Sequence, residues 1–176
     1  KLAMTDLSVP AVPLSLALPP KYVAVKCYAR PTFPQDELMT AWVTRWVETF
    51  LTTHPDVSLV DLASGIDADD HSDFSLGVHD RIVRIASVCT PQNNLAVQAA
   101  VIARASAFVG TYGGSMQLAV RLKKPAIGLF REWTGTCLAH KVLTEYVGLT
   151  QKTPVIIGTP GDVDFVAQCM GGLPSL

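Results

Sequence analysis

Short apolar runs alternate along this chain with longer stretches whose apolar residues recur every three or four positions, and no other feature restricts the fold as strongly. "KYVAVKCYA" (21 to 29) has the β-branched and aromatic content of a strand and is closed by Pro31 and Pro34. A helix is expected over 36 to 53, with Leu38, Trp42, Val43, Trp46, Val47, Phe50 and Leu51 on one stripe. Asp36 and Glu37 sit in its first turn, where the helix dipole favours negative charge. "VSLVDLA" (57 to 63) reads as a second strand, and "DRIVRIASV" (80 to 88) contains a third. "NNLAVQAAVIARA" (93 to 105) is apolar almost all round, with Asn93 or Asn94 as N-cap, and predicts a helix packed deep against a sheet. "AFVG" supplies a fourth strand, "SMQLAVRLK" a helix and "AIGLF" (126 to 130) a fifth strand. Over 136 to 147 the spacing predicts a helix with Leu138, Val142, Leu143 and Tyr146 on one side and Gly148 as its terminator. "PVIIG" reads as a last short strand and "GDVDFVAQCM" as a closing helix.

Strands separated by helices require crossover connections, which place parallel strands between two helical layers. The expected fold class is therefore α/β, a Rossmann-like doubly wound parallel sheet in three α/β/α layers. Such sheets bind ligands beyond the C-terminal ends of their strands, in the crevice where strand order reverses. The loops that follow each strand are the places to search.

With 176 residues, residues 21 to 176 make one domain of ordinary size, and residues 1 to 20 read as an extended linker or N-terminal arm. Pro10, Pro13, Pro19 and Pro20 break up the apolar stretch there, which argues against a membrane helix or a signal peptide. The chain starts on Lys1 without a methionine, so further sequence is expected before it. A net charge of −1 argues against a protein built mainly to grip nucleic acid, since phosphate-backbone binding needs a basic surface. Cys27, Cys89, Cys137 and Cys169 form no CxxC pair and no ligand-like spacing. They read as small buried hydrophobes in a reducing, cytoplasmic compartment.

One turn stands out. "FVGTYGGSMQLAVRLKKPAIGLF" (108 to 130) runs strand, Gly-Gly turn, helix and strand, and the turn carries no reactive side chain. A helix N-terminus presents unpaired amides and a partial positive charge, so it is ready to hold an anion. Gly113 and Gly114 would keep Cβ atoms out of the anion's way and permit positive φ, while Thr111 and Ser115 offer hydroxyl donors. The alternative is a tight strand-helix connection with no ligand. The turn is neither a Walker loop nor GxGxxG.

"ASAFVGTYGGSMQLAVRLKKPAIGLF", preceded by "TPQNNLAVQAAVIARA", resembles the C-terminal, donor-binding half of GT-B glycosyltransferases, the heptosyltransferase-like members and related capsule and lipopolysaccharide enzymes above all. The likeness spans roughly residues 21 to 150 and is sharp only over 90 to 130. It implies that the glycine turn and its helix receive the diphosphate of a nucleotide sugar, through Thr111, Tyr112, Gly113, Gly114, Ser115 and Gln117. It implies no bound cofactor and no metal, because helix dipoles and basic residues stabilise the leaving diphosphate. It also implies an N-terminal acceptor-binding domain that this chain lacks.

Arg30, directly after the first strand, is the candidate for a catalytic contact to the donor phosphates, against a plain solvated arginine. Arg131 and Glu132 follow the fifth strand, and Glu132 can accept hydrogen bonds from ribose hydroxyls. Asn93, at the third strand's exit, serves as a cap or contacts the nucleotide. Asp67, Asp69, Asp70, His71, Asp73, His79 and Asp80 crowd one loop, which reads as a solvated acidic segment because no metal-ligand spacing appears. The leading expectation is the nucleotide-sugar domain of a glycosyltransferase. A non-hydrolysing nucleotide-sugar epimerase-like domain and a non-catalytic Rossmann-like interaction module remain as alternatives.

Overall fold

The computed structural model describes residue 7 and residues 16–66, 72–132 and 135–169. Its elements are β1 (Tyr22–Lys26), α1 (Glu37–Thr53), β2 (Ser58–Asp61), β3 (Ile82–Arg84), α2 (Asn94–Arg104), β4 (Ala107–Thr111), α3 (Gly114–Arg121), β5 (Ala126–Leu129), α4 (Gly135–Gln151), β6 (Val155–Gly158) and α5 (Pro160–Cys169). The six strands form one sheet in the order β3-β2-β1-β4-β5-β6, every pair parallel. This is the doubly wound Rossmann order, and it reverses between β1 and β4.

Side chains of β1 alternate between the two layers, as a pleated strand requires. Val23, Val25 and Cys27 join the core under α1, with Val163 of α5 and with Phe74 and Leu76 from the loop after β2. Tyr22 and Ala24 face the other layer, which α2, α3 and α4 cover. Leu16 and Leu18, from the stretch expected to be a linker, pack half-buried against that second layer. No helix among the described residues is long and apolar enough to cross a membrane.

Helix α1 begins on Asp36, whose carboxylate accepts the Met39 amide at 2.9 Å. Its buried stripe holds Trp42, Val43, Trp46, Val47, Phe50 and Leu51 as expected, but Met39 and not Leu38 completes it. Leu38 is exposed, because it stands one position round the helix from Met39, beyond the edge of the stripe. At the other end the Arg81 guanidinium donates to the carbonyls of His54 (2.8 Å), Val57 (2.9 Å), Pro55 (3.1 Å) and Leu51. One cation thus satisfies the carbonyl end of α1 and ties it to the start of β3.

Gly148 does not terminate α4. It lies inside the helix, where a Cβ would run into Val155 of β6, so its role is close packing of helix on sheet. The helix ends at Gln151 in a Schellman turn, with Lys152 at φ 55° and the Thr153 amide donating to the Gly148 carbonyl at 2.8 Å. Lys123 closes α3 in the same way at φ 60°. Helix α5 starts with a reciprocal capping pair: the Thr159 amide donates to Asp162 Oδ2 at 2.7 Å and the Asp162 amide to Thr159 Oγ1 at 3.3 Å. Those Thr159 bonds hold the Asp162 carboxyl below its usual pKa, so their contribution is present at neutral pH and fades as pH falls through that lowered value. Burial pushes the Cys27 thiol up to about 12, which fits its reading as a small hydrophobe. The side chains of Cys137 and Cys169 lie outside those described.

Two substitutions test these helix ends by urea unfolding. Arg81→Leu is expected to lower stability by about 2 kcal/mol through loss of charge-assisted bonds to partly buried carbonyls. Lys152→Gly is expected to raise it by about 0.5–1 kcal/mol, because glycine adopts the left-handed turn without a Cβ clash.

Candidate functional site

The reversal of strand order leaves a crevice between the carboxyl ends of β1 and β4, and the chain on both sides is drawn together there. Gly110 opposes Lys26 so closely that a Cβ on it would collide with the Lys26 carbonyl. One residue on, the Thr111 hydroxyl accepts the Tyr28 amide at 3.0 Å and donates to the Tyr28 carbonyl at 2.9 Å. A side chain thereby continues the β1–β4 ladder past the last paired residues. The loop after β2 returns on the other side of β1, where Tyr28 and Asp73 form an antiparallel bridge.

The result is an open cavity of about 590 Å³. Lys26, Tyr28 and Arg30 line its β1 side, at alternate positions of an extended chain. Gly114, Ser115 and Leu118 of α3 form the facing wall, and Asn94, Leu95 and Gln98 of α2 close one end. Arg30 lies over the Tyr28 ring with its guanidinium carbon 5.4 Å from the centroid. Lys26 Nζ is 3.8 Å from Asp73 and donates to the Leu62 carbonyl at 3.3 Å, so its charge is held at the cavity floor. Gln98 is buried and donates to Asn94 Oδ1 at 2.6 Å. Next to this floor, burial raises the Asp61 carboxyl, which caps the Ala63 amide at 2.9 Å and lies 3.8 Å from Arg84.

The two turn glycines divide the work differently from the expectation. Neither has positive φ: Gly113 is extended at φ 173°, and among the described residues the positive-φ glycines are Gly65 and Gly77. Gly113 is buried because the Tyr28 phenol occupies the place of a Cβ. A Cβ on Gly114, the first residue of α3, would meet nothing within 4 Å among the described residues. It would project into open space beside helix amides that no earlier turn can satisfy.

Of the expected site residues, Arg30, Gly114 and Ser115 line the cavity, with Gly113 behind them. Thr111 is fully buried, and its hydroxyl is engaged by the Tyr28 backbone. Tyr112 is buried in the α3–α4 layer, its hydroxyl 3.4 Å from Thr144 Oγ1. Gln117 faces a separate hollow of about 170 Å³ between α3 and α4. Arg131 pairs with the α1 cap, Asp36, whose carboxyl is held low by the Met39 amide and by this guanidinium. Glu132 is exposed outside the cavity, its amide donating to the Thr32 carbonyl at 3.3 Å. Asn93 spans a turn, accepting the Thr90 amide at 2.7 Å and donating to the Val88 carbonyl at 3.1 Å. It is the N-cap of α2 by position but makes no side-chain cap bond.

The sequence reading missed Lys26, Tyr28, Asn94 and Gln98. The first two were within reach, because period-two alternation puts Lys26, Tyr28 and Arg30 on one face of the strand exit. In the acidic loop, Asp67, Asp69, Asp70 and His71 lie outside the described residues, Asp73 enters the cavity, and His79 and Asp80 are exposed before β3. Among the described residues no three His, Cys, Asp or Glu side chains gather as a metal site would need.

The fold and site define a Rossmann-type α/β domain with an open cavity at its topological switch point. No protein-family model and no curated protein matches the sequence significantly. Similar solved structures include the glycotransferase of kitacinnamycin, at 18% identity and a TM-score of 0.45, with 92% of this chain and 34% of that one covered. Another is KpsC of Thermosulfurimonas dismutans, a beta Kdo 2,4 transferase, at 11% identity and a TM-score of 0.44, with 68% and 37% covered. The chain spans about a third of the length of each. Structures this distant do not say what the cavity binds, since one architecture hosts many functions.

Alanine substitutions should rank the three glycines by what each Cβ meets, read as unfolding free energies. Gly110→Ala faces rigid backbone and is expected to cost more than about 3 kcal/mol. Gly113→Ala displaces Tyr28 and is expected to cost about 1–3 kcal/mol. Gly114→Ala should stay within about 0.5 kcal/mol of the parent.

Proposed function

We propose that this chain is the donor-binding domain of a glycosyltransferase, holding a nucleoside-diphosphate sugar whose sugar passes to an acceptor hydroxyl. The observation that carries the reading is Gly114. It opens α3 with no described residue in front of it, facing a cavity that Arg30 and Lys26 line from the β1 side. Helix amides, a guanidinium and an ammonium converge on one space, which suits a diphosphate better than a neutral ligand. The resemblance of residues 90 to 130 to the donor half of GT-B enzymes points the same way.

In this mechanism the first amides of α3 and the Ser115 hydroxyl receive the diphosphate. Arg30, steadied over Tyr28, neutralises the charge that grows on it as the bond to the sugar breaks. Because these donors are fixed by the fold, little reorganisation accompanies the step. Lys26 supports the charge from the floor, balanced by Asp73 when the site is empty. The base that deprotonates the acceptor is expected from an acceptor-binding domain, as the resemblance to GT-B enzymes implies.

Thermal unfolding of the chain with UDP, GDP, ADP and CMP, their sugar conjugates and free phosphate tests the reading. Stabilisation by one nucleoside diphosphate is expected, reaching about 2.7 kcal/mol at a hundredfold excess over Kd. Gly114→Val should abolish that shift while leaving the ligand-free melting point nearly unchanged. Arg30→Ala should weaken binding about tenfold, the scale of one charge-assisted contact. Equal melting points with every nucleotide would leave the glycine turn as a structural connection and favour a non-catalytic module.

A further inference from the structure

Helix α4 turns its stripe of large apolar side chains away from the protein. Leu138, Val142, Leu143, Tyr146 and Leu149 are 48–78% exposed, whereas Thr144, Val147 and Gly148 make the contact with the sheet layer. Leu138, Val142, Tyr146 and Leu149 follow one another at steps of four, four and three, so they form one continuous seam. A seam of this size on the outside of a helix is costly to leave in water and marks a surface built to be covered.

The distribution of charge says what covers it. Lys141 and Glu145 are the charged residues of α4, four apart on one flank of the seam and paired at 2.9 Å. The face is neutral, which offers nothing to a strongly acidic or basic partner and lacks the basic rim of a membrane-binding helix. It is complementary to itself. Two antiparallel copies of α4, related by a twofold axis passing between residues 143 and 144, set Leu138 against the partner's Leu149. They also bring Lys141 within one residue of the partner's Glu145, and the symmetry repeats both contacts.

We infer that the outer face of α4 is an isologous interface through which two copies of this chain dimerise. The cavity at the switch point lies at the β1–β4 crevice and takes no part in it, so the inference stands apart from the proposed ligand.

Sedimentation equilibrium of the 176-residue chain tests it. The expected result is a dimer that Val142→Glu converts to a monomer with an unchanged far-ultraviolet spectrum. Lys141→Glu alone and Glu145→Lys alone should each weaken the dimer about tenfold or more, since each sets like charges against one another twice. Mixing the two variants, or combining both changes in one chain, should restore association. A chain still monomeric at about 100 µM overturns the inference. So does a dimer indifferent to Val142→Glu, or one whose charge variants do not rescue each other.

Discussion

The contact on which the rest depends is the parallel pairing of β1 with β4. These strands are far apart in sequence, and the chain leaves them towards opposite ends of the sheet. Their pairing needs a backbone approach that Gly110 alone among the residues of β4 permits, and the Thr111 hydroxyl extends it to Tyr28. Because the helices after β1 and β4 pack on different layers, no described residue fills the space beyond the strand ends. The cavity is a consequence of how the sheet is wound, and its walls inherit the rigidity of the core beneath them.

Electrostatics then gives that space a sign. The first amides of α3 at one wall and the guanidinium of Arg30 at the facing one add positive character. At the floor the Lys26 ammonium stands beside the Asp73 carboxylate. Asp61, more deeply buried, is turned towards Arg84 and the Ala63 amide, away from the cavity. Fixed dipoles in a partly enclosed site need no rearrangement when an anion arrives, which is what distinguishes them from solvated surface charges.

How far the sequence was legible follows from the range of each interaction. Strand and helix positions came through because they depend on side-chain periodicity within a single segment, and even the six-strand parallel sheet follows from that alternation. Arg30, Gly114 and Ser115 were legible because they flank strand ends, where doubly wound folds bind ligands. Thr111, Tyr112, Gln117 and Arg131 looked equivalent to them, yet each is turned elsewhere by a partner many residues distant: the Tyr28 backbone, Thr144, the α3–α4 hollow and Asp36. No local rule contains those partners.

The sequence by itself determined the alternation of strands and helices, hence the parallel sheet with helices on both layers, because backbone hydrogen bonding and apolar periodicity act over a few residues. It also determined that a glycine turn opens α3. Only the tertiary structure decided that Gly113 yields its place to Tyr28 while Gly114 faces open space. It likewise decided that Gly148 packs inside α4 and that the apolar seam of that helix points outward. Periodicity identifies an apolar face of a helix but not its direction, since that is set by which residues can approach the sheet most closely, and here the small Gly148 wins against the larger side chains.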